Sequence, residues 1–282
     1  GVNAQIDGTA LSYPSSFGWN ARCVEGGKYY YRDSANGWSF KNAVQGYQSW
    51  GTVAYGIRVS ANSYLYSMVS KLDLCDISDM ANKLHLHDGL GQQLYDPGLL
   101  SANIGGTRYG ATPLTMASAY ATFASEGKYC EPRPLEKITK GDGSPMKTYE
   151  SKCEQAISPD IANGVSYVLK GVLASGGSAP KRAIGLPDAS AAKTGTNDNS
   201  SQTWMVGYTR GLATASWVGS NDLGYRSMNG IAINGRVLEY VDGATYAGAQ
   251  WQQFMQAMAP KYNTEKFTEP PASVTSTNVN GK

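Results

Sequence analysis

The chain has 282 residues, of which 41% are hydrophobic and 16% are charged. This length accommodates one large domain or two small ones. The 24 basic and 22 acidic residues give a formal net charge of +2, which excludes electrostatic binding of nucleic acid or of an anionic membrane surface as a main function. No apolar run in the sequence is long enough to span a bilayer.

Residues 1–50 are rich in Gly, Ser, Tyr and Asn and show little periodicity, which indicates loops with short strands. Val53 and Ile57 begin a helical pattern that is interrupted around residues 60–62. A second helix with a clear apolar face is predicted directly afterwards. That face consists of Leu65, Met68, Val69 and Leu72. Residues 76–100 are predicted to be helix and then loop.

Three later helices are marked by local signals at their ends. Thr112-Pro113 is a predicted N-cap and first turn for a helix over residues 114–125. Ser158-Pro159-Asp160 begins a helix whose apolar face continues to Leu173. The last helix is predicted over residues 247–258, because Pro260 ends its amphipathic pattern.

The alternating patterns of residues 191–196, 203–208 and 212–218 predict a three-stranded antiparallel meander. Strands and helices together predict an α+β fold, with an antiparallel sheet flanked by helices and a mostly helical subdomain. We expect a single domain over residues 1–267. Residues 268–282 are rich in Pro, Ser, Thr and Asn and are predicted to be a disordered tail or linker.

The four cysteines do not form a CxxC pair, and no zinc-type spacing with a histidine is present. Cys130 and Cys153 flank an excursion from the fold, residues 128–157, and a disulfide between them is the preferred interpretation. Cys23 and Cys75 are a second candidate pair. The alternative is four free thiols in a reducing compartment, whereas disulfides indicate a location outside the cytosol.

The sequence offers few residues for most kinds of catalysis. His85 and His87 are the only histidines and lie in a polar stretch, so a Ser-His-Asp triad is not expected. The carboxylates are scattered, and no glycine-rich phosphate loop follows a strand. We therefore expect no metal and no cofactor, and the remaining candidates are serines and lysines.

The strand containing Lys193-Thr194-Gly195-Thr196 is the strongest candidate for a functional element. The lysine supplies a positive charge, and the two threonine hydroxyls can bind a carboxylate. Gly195 has no Cβ, so a substrate backbone can lie close to the strand. A short motif of this kind also occurs in ordinary strands with an exposed lysine, and this interpretation stays open at this point.

Ser60-Ala61-Asn62 lies at the junction of two predicted helices, where side chains can point into a cleft. A serine hydroxyl at this place can transfer a proton, and an asparagine amide can bind a substrate amide with both its donor and its acceptor. The same tripeptide recurs at residues 101–103. We prefer the first copy because a helix with an apolar face follows it immediately.

The order of these motifs resembles that of a penicillin-binding protein. More narrowly, it is similar to the transpeptidase domain of the bifunctional class that also carries a glycosyltransferase. The resemblance extends from about residue 40 to about residue 260 and rests on five blocks. They are Ser60-Ala61-Asn62, Gly106 through residues 113–121, Ala192-Lys193-Thr194-Gly195-Thr196, Trp204-Met205-Val206-Gly207-Tyr208 and Ser216-Trp217-Val218-Gly219.

This family uses three motifs, Ser-x-x-Lys, Ser-x-Asn and Lys-Thr-Gly, and the first supplies the nucleophile. The sequence matches Ser-x-x-Lys at four places, all after Ser60 and therefore in the wrong order. They are Ser125/Lys128, Ser144/Lys147, Ser178/Lys181 and Ser190/Lys193. We expect the segment with the nucleophile, its lysine and the first sheet strands to precede Gly1 or to reside on another chain.

The resemblance implies a serine β-lactamase-like fold and a D,D-transpeptidase that crosslinks peptidoglycan stem peptides through an acyl-enzyme and is a target of β-lactams. Ser60 and Lys193 then act in proton transfer, and Asn62 binds the substrate amide. Thr194, Gly195 and Thr196 form the substrate-binding strand, and the Thr196 N–H contributes to the oxyanion hole. This chain alone is expected to be inactive.

The resemblance also implies a place on the cell-wall side of the bacterial plasma membrane, with an anchoring segment outside this chain. Two other functions remain open. One is a serine β-lactamase or D,D-carboxypeptidase, which shares the motifs but transfers the acyl group to water. The other is a non-catalytic sensor module that binds β-lactams or the cell wall.

Overall fold

The computed structural model describes residues 1–220, 226–233 and 235–277, and all statements on the fold refer to them. The helices are α1 Val53–Val59, α2 Asn62–Val69, α3 Leu74–Lys83, α4 Pro113–Ala124, α5 Pro159–Leu173, α6 Tyr246–Met258 and α7 Ala272–Thr275. The strands before α5 are β1 Gln5–Asp7, β2 Ser12–Tyr13, β3 Trp19–Asn20, β4 Lys28–Tyr29, β5 Trp38–Ser39, β6 Trp50–Thr52, β7 Lys128–Cys130, β8 Lys137–Thr139, β9 Pro145–Thr148 and β10 Cys153–Gln155. The strands after α5 are β11 Ala191–Thr196, β12 Gln202–Thr209, β13 Leu212–Gly219, β14 Ala232–Ile233 and β15 Arg236–Val237.

The predicted meander is confirmed as a three-stranded antiparallel sheet in the order β11-β12-β13. Helices α5 and α6 pack on it, and their buried residues share one core with the strands. A Cβ at Gly207 would lie 2.6 Å from the Trp251 ring, so a larger residue in β12 would displace α6. Met205 and Met255 are fully buried in this core, and each such side chain stabilises the fold by about 1.5–3 kcal/mol.

The predicted helix ends are confirmed where a hydroxyl cap was present. The Thr112 side chain accepts a hydrogen bond from the Thr115 N–H, and the Ser158 side chain accepts one from the Ile161 N–H. Thr52 caps α1 in the same way through the Tyr55 N–H. These contacts satisfy backbone donors that lack partners inside the helix, which explains why each helix begins at the predicted place.

The first 50 residues form short paired strands, as predicted, but they also contain an aromatic core that the sequence pattern did not indicate. Strand β1 pairs with β6, β2 with β5 and β3 with β4. Trp19 and Tyr66 are buried, and their rings pack at 6.2 Å between centroids. The aromatic residues of the first 50 positions lie in short strands and the segments between them without a period of 2 or 3.6, so periodicity could not detect their core.

Both predicted disulfides are present, Cys23–Cys75 and Cys130–Cys153. Cys130–Cys153 joins β7 to β10 and closes the excursion of residues 128–157 at its base. The two bridges span 52 and 23 residues. By chain entropy alone they stabilise the folded state by roughly 4 and 3 kcal/mol, respectively.

Residues 268–277 contact the rest of the domain, while residues 278–282 lie outside the described residues, and a disordered tail from Thr268 stays a prediction. Thr268 donates a hydrogen bond to the Glu126 carboxylate at 2.7 Å, and Glu269 forms an ion pair with Lys170 at 2.9 Å. Helix α7 packs on α5, where Val274 lies over Gly164. The prediction of a tail rested on the amino-acid composition of residues 268–282, which carries no information about tertiary contacts.

None of the helices in the described residues combines the length and the apolar character that crossing a membrane requires.

Candidate active site

The Lys-Thr-Gly strand, β11, forms an edge of the three-stranded sheet in the described part of the chain. The Asn197 N–H donates to the Gln202 carbonyl at 3.1 Å just beyond the paired region. In an antiparallel ladder, hydrogen-bonded residue pairs alternate with non-hydrogen-bonded pairs. Since Asn197 belongs to a hydrogen-bonded pair, the backbone N–H and C=O groups of Gly195 and Lys193 also face β12. The N–H and C=O groups of Thr194 and Thr196 consequently point away from β12, toward the open edge.

Lys193 connects this strand to the junction between α1 and α2. Its Nζ donates to the Ser60 Oγ at 2.7 Å and to the Thr194 carbonyl oxygen at 2.8 Å. Burial of the ammonium group lowers the pKa of Lys193 to about 8, because a charged amine loses hydration in this place. The structure therefore brings together two predicted residues that are 133 positions apart.

Ser60 has a backbone conformation that is unusual for a residue other than glycine. It follows α1 as its C-cap with φ 60° and ψ 41°, and its N–H donates to the Gly56 and Ile57 carbonyls. This left-handed conformation ends α1 and redirects the chain into α2. It also leaves the exposed Ser60 hydroxyl beside Lys193 rather than against the helix.

Asn62, the third residue of the tripeptide, is the first residue of α2. Its Nδ2 donates to the Lys41 carbonyl at 2.7 Å. The adjacent Asn42 and Ser63 exchange two further hydrogen bonds of 3.0 Å. The bond to Lys41 orients the Asn62 amide, and within the described residues its second N–H proton and its carbonyl oxygen have no hydrogen-bond partner, so both are available to a ligand.

The two threonines of the motif have different side-chain partners. The Thr194 Oγ1 lies 3.1 Å from the Ser178 Oγ. The Thr196 Oγ1 accepts from the Gly243 N–H at 3.0 Å. Packing also favours glycine at position 195, since a Cβ there would lie 3.2 Å from the Trp204 Cβ, and the neighbour would have to shift by a few tenths of an ångström.

Sequence reasoning did not identify Ser178, Arg58, Gly243 and Lys41 as neighbours of the site. The signals available were weak: Ser178 follows the glycines that end α5, and Arg58 lies two residues before Ser60. Lys41, Ser178 and Gly243 each contact a motif residue that is at least 16 positions away in the sequence. Arg58 is close to Ser60 in the sequence, but its contact is with the distant Ser178.

Two of the four Ser-x-x-Lys matches lie at the strand, since Ser190/Lys193 contains the lysine of β11 itself and Ser178/Lys181 comes from a neighbouring loop. Ser178 contacts Thr194, while Lys181 is exposed and belongs to a short 3₁₀ helix, Pro180–Arg182. Ser125 instead donates to the Ala121 and Lys128 carbonyls, and Ser144 donates to the Asp142 carboxylate. Ser190 donates to the Leu186 carbonyl.

A family model described as "Penicillin binding protein transpeptidase domain" matches residues 23–263. The chain belongs to this family. The match includes the Ser-Ala-Asn junction and the Lys-Thr-Gly strand, which the structure joins through the contact between Ser60 and Lys193.

Curated relatives of the chain are penicillin-binding proteins. Penicillin-binding protein 1A from Aquifex aeolicus is 24% identical over 254 residues, which cover 90% of this chain and 32% of that protein. The chain thus spans about a third of the length of this relative. The name agrees with the predicted resemblance to a penicillin-binding protein.

Solved structures show the same fold. The penicillin-binding protein PonA1 from Mycobacterium tuberculosis has a TM-score of 0.70 and 23% identity, with coverage of 96% of this chain and 67% of that chain. The same protein in complex with penicillin V has a TM-score of 0.65 and the same identity and coverage. The predicted α+β, transpeptidase-like fold class is therefore confirmed.

Proposed function

We propose that this chain provides the substrate-binding wall of a serine-type D,D-transpeptidase that crosslinks peptidoglycan stem peptides. The contact of 2.7 Å between the Lys193 Nζ and the Ser60 Oγ carries the proposal. It joins a serine on a helix junction to a lysine on a sheet edge, and an ammonium group beside a hydroxyl is suited to proton transfer. The reacting serine and its basic partner lie outside these 282 residues.

In the proposed first step, the oxygen of that serine attacks the carbonyl carbon of the penultimate D-alanine, and its proton passes to a basic lysine. The bond to the terminal D-alanine breaks, and its nitrogen leaves with a proton that Ser60 donates. Lys193 stabilises the Ser60 oxygen while this proton moves and allows Ser60 to be reprotonated. The amine of a second stem peptide then attacks the ester carbonyl and forms the crosslink, and its proton passes to Ser60. The bond to the reacting serine breaks, and this serine leaves with the proton that the basic lysine had taken.

The open edge of β11 supports the binding of the substrate backbone. The N–H and C=O groups of Thr194 and Thr196 are directed away from β12, and a substrate peptide added at this edge would hydrogen-bond to them as an additional strand. The outward Thr196 N–H is suited to one half of an oxyanion hole. Removing one such donor costs about 3–4 kcal/mol in the activation barrier. The Asn62 side chain, which is oriented by its bond to the Lys41 carbonyl, is suited to bind an amide group of the stem peptide.

β-Lactams are proposed to react with the same serine, because their amide and carboxylate resemble a D-Ala-D-Ala terminus. The fold shared with a protein solved in complex with penicillin V is consistent with this proposal. The two disulfides are consistent with an extracytoplasmic place on the cell-wall side of the bacterial membrane, where thiols are oxidised.

The test is labelling of the complete protein, including the reactive serine, with a fluorescent penicillin. We expect Lys193→Ala to lower the rate of acylation by about 10²–10⁴-fold, the range for loss of acid–base catalysis. Lys140→Ala is the matched control, because Lys140 is an exposed lysine on the 128–157 excursion. An unchanged rate in Lys193→Ala would exclude the proposed role of the strand.

Two further measurements separate the other functions that the motifs allow. Continuous turnover of a chromogenic cephalosporin would identify a β-lactamase, whereas a transpeptidase keeps the acyl label. Incubation with stem peptides tests crosslinking directly. A protein that is labelled by penicillin and releases D-alanine without forming a crosslink would be a D,D-carboxypeptidase. A protein that is labelled but neither forms a crosslink nor releases D-alanine would be a sensor module.

A further inference from the structure

The loop that follows α5, residues 174–179, is fastened to the helix that ends at Ser60. The Ser178 N–H donates to the Arg58 carbonyl at 3.0 Å, and the Arg58 guanidinium donates back to the Ser175 carbonyl. Because Arg58 belongs to the last turn of α1 and Ser60 caps that helix, the end of α1 holds both the loop and Ser60 in place.

The loop is also closely packed on α5. A Cβ at Gly177 would lie 2.3 Å from the carbonyl oxygens of Gly171 and Val172, and the Ala179 N–H donates to the Val172 carbonyl at 3.0 Å. Only glycine fits at the first of these positions. The backbone on both sides of Ser178 is therefore held in place, and its side chain has a defined direction.

That direction leads to the Lys-Thr-Gly strand. The Ser178 Oγ lies 3.1 Å from the Thr194 Oγ1, a hydrogen-bond distance at which either oxygen can be the donor. Each hydroxyl has one proton and two acceptor positions. One proton is used between the two oxygens, so in either direction the pair retains one proton for a ligand. Lys193, which directly precedes Thr194 in the strand, contributes a positive charge.

We propose that Ser178 is a positioning residue for Thr194, and that the two hydroxyls bind the terminal carboxylate of a D-Ala-D-Ala-type ligand as a pair. This inference rests on the proposed function. A Ser178 donor orients the Thr194 O–H toward the ligand and keeps it from rotating to another acceptor. Ser178 thus extends the binding strand with a residue from outside the three sequence motifs.

The test uses NMR titration of the ¹⁵N-labelled 282-residue chain, which requires no nucleophile. The two probes are N-acetyl-D-Ala-D-Ala and the same dipeptide with a C-terminal amide. We expect Ser178→Ala to weaken binding of the acid by about tenfold, a typical effect of losing one hydrogen bond to a charged group, without weakening binding of the amide. Ser178→Thr keeps the hydroxyl and is expected to restore binding of the acid.

Ser144→Ala is the matched control, because Ser144 also precedes a lysine by three residues but hydrogen-bonds to Asp142 on the excursion. Equal losses for acid and amide in Ser178→Ala would identify a merely structural role and overturn the inference. Unchanged binding of the acid would overturn it while leaving the proposed function intact. A wild-type chain that does not prefer the acid over the amide would overturn both.

Discussion

The tripeptide Ser-Ala-Asn occurs twice, at residues 60–62 and 101–103, and the two copies have different environments. In the first copy, α1 ends at Ser60 in a left-handed conformation, and the exposed hydroxyl accepts a hydrogen bond from Lys193. In the second copy, Ser101 lies inside a 3₁₀ helix, Leu100–Ile104, and its hydroxyl donates to the Gly106 carbonyl at 2.6 Å. Identical residues thus contact a charged side chain in one place and the local backbone in the other.

The asparagines differ in the same way. One N–H of Asn62 donates to the Lys41 carbonyl, and its other amide groups have no hydrogen-bond partner within the described residues. Asn103 accepts from the buried Tyr95 hydroxyl at 2.8 Å and donates to the Leu100 carbonyl at 2.9 Å. The fold thus decides which partner each copy of the tripeptide contacts, and that partner determines what chemistry the side chains can perform. We therefore expect the first copy to control activity and the second to control stability.

The largest difference between the copies is expected for the serines. Ser60→Gly removes the hydroxyl but suits the positive φ of 60°, so the backbone is retained without strain. We expect acylation of the complete protein by a fluorescent penicillin to fall about 100-fold, with a melting temperature equal to the wild-type value or higher.

Ser101→Ala is the matched substitution in the second copy. It removes one hydrogen bond and is expected to lower the melting temperature by roughly 2–4 °C while leaving acylation unchanged. Equal acylation rates for Ser60→Gly and the wild type would show that the two copies do not differ in function.

A smaller effect is expected for the asparagines. Asn62→Ala should weaken binding of a stem-peptide analogue by about tenfold through loss of hydrogen bonds to the ligand. Asn103→Ala leaves the buried Tyr95 hydroxyl without its acceptor, at a cost of about 1–3 kcal/mol in the free energy of unfolding. Titration of the ligand and urea unfolding measure the two effects, and a reversed pattern would contradict the comparison.

The pH dependence should also distinguish the copies, because only the first has a partner that titrates between pH 7 and pH 9, whereas burial raises the pKa of Tyr95 beside the second copy to about 12. Lys193 has a pKa lowered to about 8, so it loses its charge as the pH rises through this value. We expect binding of N-acetyl-D-Ala-D-Ala to weaken by up to about tenfold between pH 7 and pH 9, and binding of its amide to change less.

The lowered pKa of Lys193 also affects the stability of the fold. Rising pH is expected to weaken ligand binding but to increase the free energy of unfolding. The unfolded chain holds this proton up to the ordinary lysine pKa of 10.5, whereas the folded chain releases it near 8. The Lys193 contribution to the free energy of unfolding therefore increases with pH between about 8 and 10.5. Comparison of urea unfolding in wild type and Lys193→Met over this range checks the sign, and a contribution that decreases with pH would be inconsistent with a buried ammonium group.

The smallest effect on activity is expected for the disulfide at the base of the excursion. Replacing Cys130 and Cys153 by serine should lower the free energy of unfolding by roughly 3 kcal/mol. Acylation at 25 °C should remain unchanged, because the bridge joins β7 to β10 and not the elements around Lys193. A loss of acylation in a folded variant would show that the excursion takes part in the site.

Much of the local structure could be predicted from the sequence, because its signals act over a few residues. The caps at Thr112 and Ser158 bind backbone donors within three positions, and the alternation in residues 203–218 depends on neighbouring side chains. The aromatic core of the first 50 residues was missed, since its side chains come together from turns without a period. The order of the site residues in known motifs allowed Ser60 and Lys193 to be proposed before their contact was seen.

By itself, the sequence determined where the main helices begin and end, which strands form the meander, and which residue types are available for chemistry. Only the tertiary structure decided that Ser60 rather than Ser101 contacts Lys193, that Ser178 meets Thr194, and that residues 268–277 pack on the domain. These contacts join residues that are far apart in the chain. They depend on how helices and sheet pack together, and no local pattern encodes that packing.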